Sequence, residues 1–121
     1  MRFEDFDAYC QGLPAANLVV QWGGTHVYKV GEKIFALSGL GHGEGDEQGT
    51  YVFKASEISF EMLTEAGLAV RAPYLPRGGW LALKSRDALE DDELKVYLAQ
   101  SHALVAAGLS RRERRRLGLD K

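Results

Sequence analysis

The sequence has little cysteine, little proline and no long apolar segment. A single cysteine, Cys10, among 121 residues excludes an internal disulfide and any Cys-x-x-Cys redox or metal motif. No uninterrupted apolar run approaches the roughly 20 residues of a membrane span. The opening MRFEDFDAYC has acids where a secretory signal has a basic region and an apolar stretch. The sequence therefore predicts a soluble protein of the cytoplasm.

The chain as a whole is not basic, and its charged residues are unevenly distributed. The net charge is −2 at pH 7. Residues 110–121 carry six basic and two acidic side chains, net +4, which leaves nine basic and fifteen acidic side chains, net −6, in the rest of the chain. An acidic body repels phosphate, so only a local basic patch could attract nucleic acid.

The length and composition are those of one ordered domain. A chain of this length buries roughly two thirds of its unfolded surface, and 45% hydrophobic with 26% charged residues is typical of a globular protein. We predict a single α+β domain over residues 1–109, followed by a basic tail or short helix over residues 110–121.

Residue spacing predicts the order of the elements. Apolar residues three and four positions apart predict helices over residues 3–13, 56–67 and 90–108. β-branched and aromatic residues between turn signals predict strands in LVVQW, THVYKV, KIFAL, TYVFKA and WLALK, with a sixth in the stretch that begins LAVRAP. This order favours a two-layer α+β fold, in which helices cover one face of a largely antiparallel sheet of five to six strands.

The stretch SGLGHGEGDEQG, residues 38–49, contains five glycines but no phosphate-loop motif. A phosphate loop needs GxxxxGK[ST] at the start of a helix, and here a strand follows. His42, Glu44, Asp46 and Glu47 could hold a metal, but in a glycine-rich loop such side chains more often form a solvated hairpin tip. We therefore predict neither a metal nor a cofactor.

No pattern of catalytic residues stands out. His26, His42 and His102 have no ligand spacing among them. Ser101 is adjacent to His102 on a helix, where neighbouring side chains point about 100° apart and cannot form a catalytic pair. Cys10 lies on an apolar stripe, where a thiol is usually an inert small hydrophobe. We therefore do not expect an enzyme.

Two basic stretches are candidate phosphate contacts. One surrounds Trp80; this residue and Trp22 could stack on bases, although packing within the sheet is favoured for both. The other is SRRERRR, where Ser110 and Glu113 have the spacing of a capping box and favour a short surface helix whose arginines are solvated or paired with acids. Phosphate binding and such a surface helix both remain open. The candidate residues are Arg71, Arg77, Lys84, Arg86, Arg111, Arg112, Arg114, Arg115 and Arg116.

Several motifs together resemble the MmcQ/YjbR family of small bacterial proteins. They are the strings LPAANLVVQWGGTHVYKVGEKIFAL, YVFKASEISFEMLTEAG, RAPYLPRGGWLAL and DDELKVYLAQSHALVAAGL, which lie between about residues 3 and 119. The resemblance implies a CyaY-like, or secretion-chaperone-like, fold and DNA binding through a double wing of hairpins. On this sequence the wings would be residues 39–49 and 71–86. The first is acidic and would repel phosphate. We therefore expect the contacts with DNA in the second segment and the tail.

Two functions follow as hypotheses. The first is a non-enzymatic DNA-binding protein of low sequence specificity. The alternative is a chaperone-like protein-interaction module, in which the sheet or the acidic loop binds a partner protein.

Overall fold

The α+β architecture predicted from the sequence is confirmed in the computed structural model, which describes residues 1–21, 24–38, 51–72 and 79–119. The helices and strands along these residues are α1 Phe3–Gln11, β1 Ala16–Gln21, β2 Thr25–Val30, β3 Lys33–Ser38, β4 Tyr51–Lys54, α2 Glu57–Glu65, β5 Ala69–Arg71, β6 Trp80–Leu83, α3 Asp91–Ala107 and α4 Arg111–Arg116.

Six strands form one sheet in the order β1-β2-β3-β4-β6-β5, and every neighbouring pair is antiparallel. The two-residue turn Gly31-Glu32 joins β2 to β3, and Gly31 has a φ of +63°. Glycine adopts such a left-handed conformation at little cost. The two predicted strands THVYKV and KIFAL therefore form a β-hairpin.

The ends of α2 follow the sequence signals. The Ser56 hydroxyl accepts a hydrogen bond from the amide of Ser59 at 3.2 Å, as an N-cap does. Gly67 has a φ of +79°, and the next residue, Leu68, donates its amide to the carbonyl of Leu63 at 3.0 Å. The helix predicted over residues 56–67 thus begins with a cap at Ser56 and is followed by a left-handed turn at Gly67.

The two faces of the sheet differ in what packs on them. Side chains of α1, α2 and α3, with leucines that follow α4, join one core cluster with residues of the sheet such as Tyr28 and Phe53. Val27, Leu37 and Trp80 belong to a separate cluster on the other face, to which no described helix contributes. Helices on one face are thus confirmed, as is the packing of Trp80 within the sheet; Trp22 lies outside the described residues.

A β-bulge that the sequence did not reveal interrupts β3. Tyr28 pairs with Ala36 whereas Lys29 pairs with Ile34, so Phe35 is the extra residue. The ring of Phe35 is fully buried and lies edge-on to the ring of His102, at 5.2 Å between centroids. The bulge therefore places an aromatic side chain under α3.

Within the described ranges, no helix combines the length and the apolar character that a membrane crossing requires.

Candidate nucleic-acid interface

The basic segment SRRERRR forms a helix, α4, that is fixed to the core. The hydroxyl of Ser110 accepts a hydrogen bond from the amide of Glu113 at 3.0 Å. Leu117 and Leu119 pack against the main core cluster. A Cβ at Gly31 would lie 3.4 Å from both Leu109 and Leu117. The helix is thus held beside the β2-β3 turn and has a defined orientation.

Arg114 stabilises the end of α3. Its guanidinium donates to the carbonyls of Leu109 at 2.6 Å and of Ala107 at 3.3 Å. Carbonyls in the last turn of a helix have no partner within the helix, and a cation near them also interacts favourably with the helix dipole. Arg114 therefore has a structural role.

Arg116 is paired within its own helix. Its guanidinium donates two hydrogen bonds to the carboxylate of Glu113, one from Nε to Oε1 at 3.3 Å and one from Nη2 to Oε2. The hydrogen bond from Arg116 lowers the pKa of Glu113, and the same bond raises the pKa of Arg116. Only the first half of the predicted capping box forms, because Glu113 binds Arg116 instead of returning to Ser110.

The remaining arginines of α4 lie together on one side. Arg111, Arg112 and Arg115 are exposed, and none has a hydrogen bond or ion pair through its side chain within the described part of the chain. At 100° per residue the three positions fall within about 100° of helical arc. The three arginines therefore share one side of α4, which we call the arginine face.

Arg86 packs on aromatic rings at the other end of the sheet. Its guanidinium carbon lies 5.9 Å from the centroid of Phe3 and 5.3 Å from that of Tyr51. Its backbone carbonyl accepts a hydrogen bond from the amino group of Met1 at 2.7 Å. Stacking of this kind stabilises a fold, and it occupies the flat faces of the two rings.

Arg71 lies in a groove with acids. The groove, of about 520 Å³, runs between α2 and the β5-β6 edge, and Arg71 lines it with Glu57, Glu61 and Phe60. Two carboxylates beside one guanidinium reduce the attraction of this site for phosphate.

The predicted basic residues do not form one surface. Arg71 is the last residue of β5 and lies at the same end of the sheet as the β2-β3 turn and α4. However, β5 is an edge strand, and β4 and β6 separate it from β3. Lys84 follows β6 at the opposite end, and β6 spans roughly 13 Å at about 3.3 Å per residue. Arg77 and the candidate wing of residues 39–49 lie outside the described residues.

One basic residue near α4 was missed. Lys33 is exposed at the start of β3, two residues after Gly31, against which α4 packs. Lys33 is 78 positions from Arg111 in the sequence, and no local pattern links the two. Only tertiary packing brings the two together, because Leu117, which follows α4, lies against Gly31 of this turn.

Cys10, Tyr28 and His102 are buried in structural roles. Burial, with a smaller contribution from Asp7, raises the pKa of the Cys10 thiol. The hydroxyl of Tyr28 donates to Asp7 at 2.6 Å. His102 Nε2 donates to the carbonyl of Pro14 at 2.7 Å, since a carbonyl only accepts. Among the described residues, no group of three histidine, cysteine or acidic side chains is placed to hold a metal.

The comparisons with known proteins identify the family. The model of the YjbR family matches residues 11–104. A crystal structure of Deinococcus radiodurans protein DR2400, with a DUF419 domain, superimposes with a TM-score of 0.80 at 23% sequence identity, and the match covers 96% of this chain and 87% of that one. At this identity the likeness concerns the fold alone. No curated protein matches significantly.

Proposed function

We propose that this chain, which belongs to the YjbR family, binds the phosphate backbone of DNA through the arginine face of α4, without catalysing a reaction. One observation carries the proposal: Arg111, Arg112 and Arg115 are exposed on one side of a helix that is anchored to the core, and their side chains have no hydrogen bond or ion pair with any described residue.

The anchoring of α4 supports binding because it lowers the entropy lost on association. Ser110 caps the helix, Arg114 connects it to the end of α3, and Leu117 connects it to the core. The arginine face is therefore already formed before a ligand arrives, and such preorganisation improves affinity. Arginine also remains charged at any physiological pH and can donate two parallel hydrogen bonds to a phosphate.

The same geometry predicts weak sequence discrimination. α4 has six residues, Arg111–Arg116, of which two make the internal contacts described above. Contacts to phosphate position a protein but carry no sequence information. The net −6 of residues 1–109 opposes any orientation other than one that directs α4 to the duplex.

The test is fluorescence anisotropy with a fluorescein-labelled mixed-sequence duplex at low salt, with three proteins. The first is the wild-type chain and the second is the variant Arg111→Gln/Arg112→Gln/Arg115→Gln. The third, Arg2→Gln/Arg71→Gln/Lys84→Gln, removes the same charge from exposed positions elsewhere. We expect the second to bind at least about tenfold more weakly than the third, since each phosphate contact contributes to affinity separately.

Equal weakening of both variants would overturn the assignment to α4, because the effect would then follow net charge alone. Absence of binding by the wild-type chain would overturn DNA binding altogether. Circular dichroism of all three proteins checks that the substitutions leave the fold intact.

A further inference from the structure

The groove beside Arg71 contains charges of both signs and an aromatic ring. Its volume of about 520 Å³ lies within the roughly 300–1,000 Å³ of small-molecule sites. The residues that line it are Ala55, Glu57, Phe60, Glu61, Arg71 and Gly79. Two carboxylates and one guanidinium thus border a space large enough for a small molecule.

The alternation of β5 places Arg71 on the side of the sheet that α2 covers. Ala69, two residues earlier, is buried in the main core cluster, whereas Ala72 belongs to the cluster on the other face. Leu81, which pairs with Arg71 across β5 and β6, is fully buried in the main cluster. Since side chains alternate between the two faces of a strand, Arg71 lines the groove from the sheet and lies opposite α2.

The two carboxylates line the groove from α2. Glu57 and Glu61 are four positions apart, so they are neighbours on one side of the helix. Like charges at this spacing repel each other. α2 contains no basic residue, so no cation of the same helix offsets that repulsion.

The charges on opposite walls of the groove do not pair with each other. Within the described ranges, the side chains of Glu57, Glu61 and Arg71 have no hydrogen bond or ion pair. Each carboxylate is therefore too far from the guanidinium for direct contact. A ligand that lies between the walls and has charges of both signs would pair with all three groups.

The rest of the lining is fixed by the fold. The amide of Ala55, just before the cap of α2, donates to the carbonyl of Gly79 at 2.8 Å. Phe60 packs partly on the main core cluster, and its remaining surface lines the groove. The groove is thus formed before a ligand arrives, and such preorganisation lowers the entropy lost on binding.

We propose that this groove binds a free basic α-amino acid of the class of arginine and lysine. Such a molecule has one carboxylate and two cationic groups, which complement the one guanidinium and two carboxylates of the groove. Its carboxylate would accept two parallel hydrogen bonds from Arg71. Its α-ammonium and side-chain cation would pair with Glu57 and Glu61, and its methylene chain would lie on Phe60.

Other small ligands match the groove less well. Inorganic phosphate would meet two carboxylates, and a polyamine would leave Arg71 without a partner. An apolar molecule would remove three charges from water without compensation. Because Arg71 lies on the β5 edge and apart from α4, the inference is independent of DNA binding through the arginine face.

The test is a titration of the isotope-labelled full chain with L-arginine at low salt, followed by amide chemical shifts. We expect saturable shifts that are largest at Ala55, Phe60, Arg71 and Gly79. Agmatine lacks the carboxylate of arginine, and citrulline lacks its side-chain cation. Each should bind about threefold more weakly than arginine, since an exposed ion pair contributes up to a factor of about five. Glycyl-arginine, whose arginine nitrogen is part of a peptide bond, should also bind more weakly.

Variants assign each charge to its partner. In Arg71→Gln, arginine and agmatine should bind equally, because no guanidinium remains to favour the carboxylate. In Glu57→Gln/Glu61→Gln, arginine and citrulline should bind equally. The matched variants Lys84→Gln and Glu65→Gln, at exposed positions outside the groove, should retain the wild-type order of the ligands. Each comparison is made between ligands of one variant, so a change in stability does not imitate the result.

Several outcomes would overturn the proposal. They are shifts that do not saturate at millimolar arginine, shifts concentrated away from the groove, and equal affinity of the wild-type chain for arginine, agmatine and citrulline. Retention of the wild-type order by Arg71→Gln would show that the guanidinium does not bind the carboxylate. Tighter binding of glycyl-arginine than of arginine would assign the groove to the C-terminus of a peptide instead of a free amino acid.

Discussion

The hydroxyl of Ser101 lies between the carbonyl of Phe35 and the amide of Lys54. It donates to Phe35 at 2.7 Å and accepts from Lys54 at 2.9 Å. The last backbone pair between β3 and β4 is Ala36 with Phe53, and it lies next to the bulge at Phe35. A side chain of α3 thus supplies the hydrogen bonds that connect the two strands beyond the last backbone pair.

Replacement of this hydroxyl should destabilise the fold. Ser101 is fully buried, so in Ser101→Ala a carbonyl and an amide lose their partner away from water. We expect a loss of about 1–3 kcal/mol in the free energy of unfolding, measured as a lower urea midpoint with an unchanged m-value. Ser85→Ala removes an exposed hydroxyl whose one hydrogen bond among the described residues, from the amide of Asp87 at 3.3 Å, is open to water, so it should lower the midpoint much less. Equal midpoints for the two variants would contradict the bridging role.

Arg114 and Arg115 are neighbours in the sequence but should respond differently to mutation. Arg114→Gln removes the hydrogen bonds to the carbonyls of Leu109 and Ala107 and should cost roughly 1 kcal/mol of stability. Arg115→Gln should leave stability nearly unchanged, because its side chain has no hydrogen bond or ion pair in the described structure. Thermal unfolding of the two single variants checks this, and the opposite order would show that the assignment of roles is wrong.

Glu113 should weaken DNA binding in the wild-type chain. In Glu113→Gln the acidic charge that pairs with Arg116 is removed, so a fourth guanidinium becomes available to phosphate. We expect tighter binding at low salt and a logarithmic salt slope steeper by about 0.9. Glu65→Gln, an exposed acid on α2, should leave the slope unchanged. An unchanged slope for Glu113→Gln would mean that Arg116 is not near the bound duplex.

Stability should fall in alkaline solution. Burial raises the pKa of Cys10 and of Tyr28 above their ordinary values of 9.0 and 10.0 and raises that of Tyr51 to about 12. The folded chain therefore retains protons that the unfolded chain loses, so stability is complete below about pH 9 and is lost as the pH rises. Urea midpoints should fall less steeply between pH 10 and 12 for Tyr51→Phe than for the wild-type chain. Parallel curves would contradict the contribution of Tyr51.

Local signals in the sequence predicted much of the fold. Ser56 and Gly67 mark the ends of α2 by capping and a left-handed turn, which depend on the nearest residues only. The bulge at Phe35 could not be predicted in this way, because its hydrogen-bond partner Ser101 is 66 positions away and becomes adjacent only when α3 packs on the sheet.

The sequence identified the arginine-rich segment as a candidate but did not indicate the role of each arginine in the fold. The sequence alone does not distinguish Arg114, whose side chain binds the end of α3, from Arg115, whose side chain has no hydrogen bond or ion pair with the described residues. That difference depends on the angle at which α4 follows Leu109. Arg86 likewise has the sequence features of a phosphate contact, but the fold places it on the rings of Phe3 and Tyr51.

The central claim is that three arginines of α4 contact DNA phosphates, and the salt dependence of binding tests it most directly. The measurement is the affinity for a short mixed-sequence duplex at several salt concentrations, plotted as log K against log salt. Three contacts predict a slope of about −2.7, from roughly 0.9 per contact, and a slope near zero for Arg111→Gln/Arg112→Gln/Arg115→Gln. A wild-type slope that the triple variant retains, or no binding at low salt, would contradict the account.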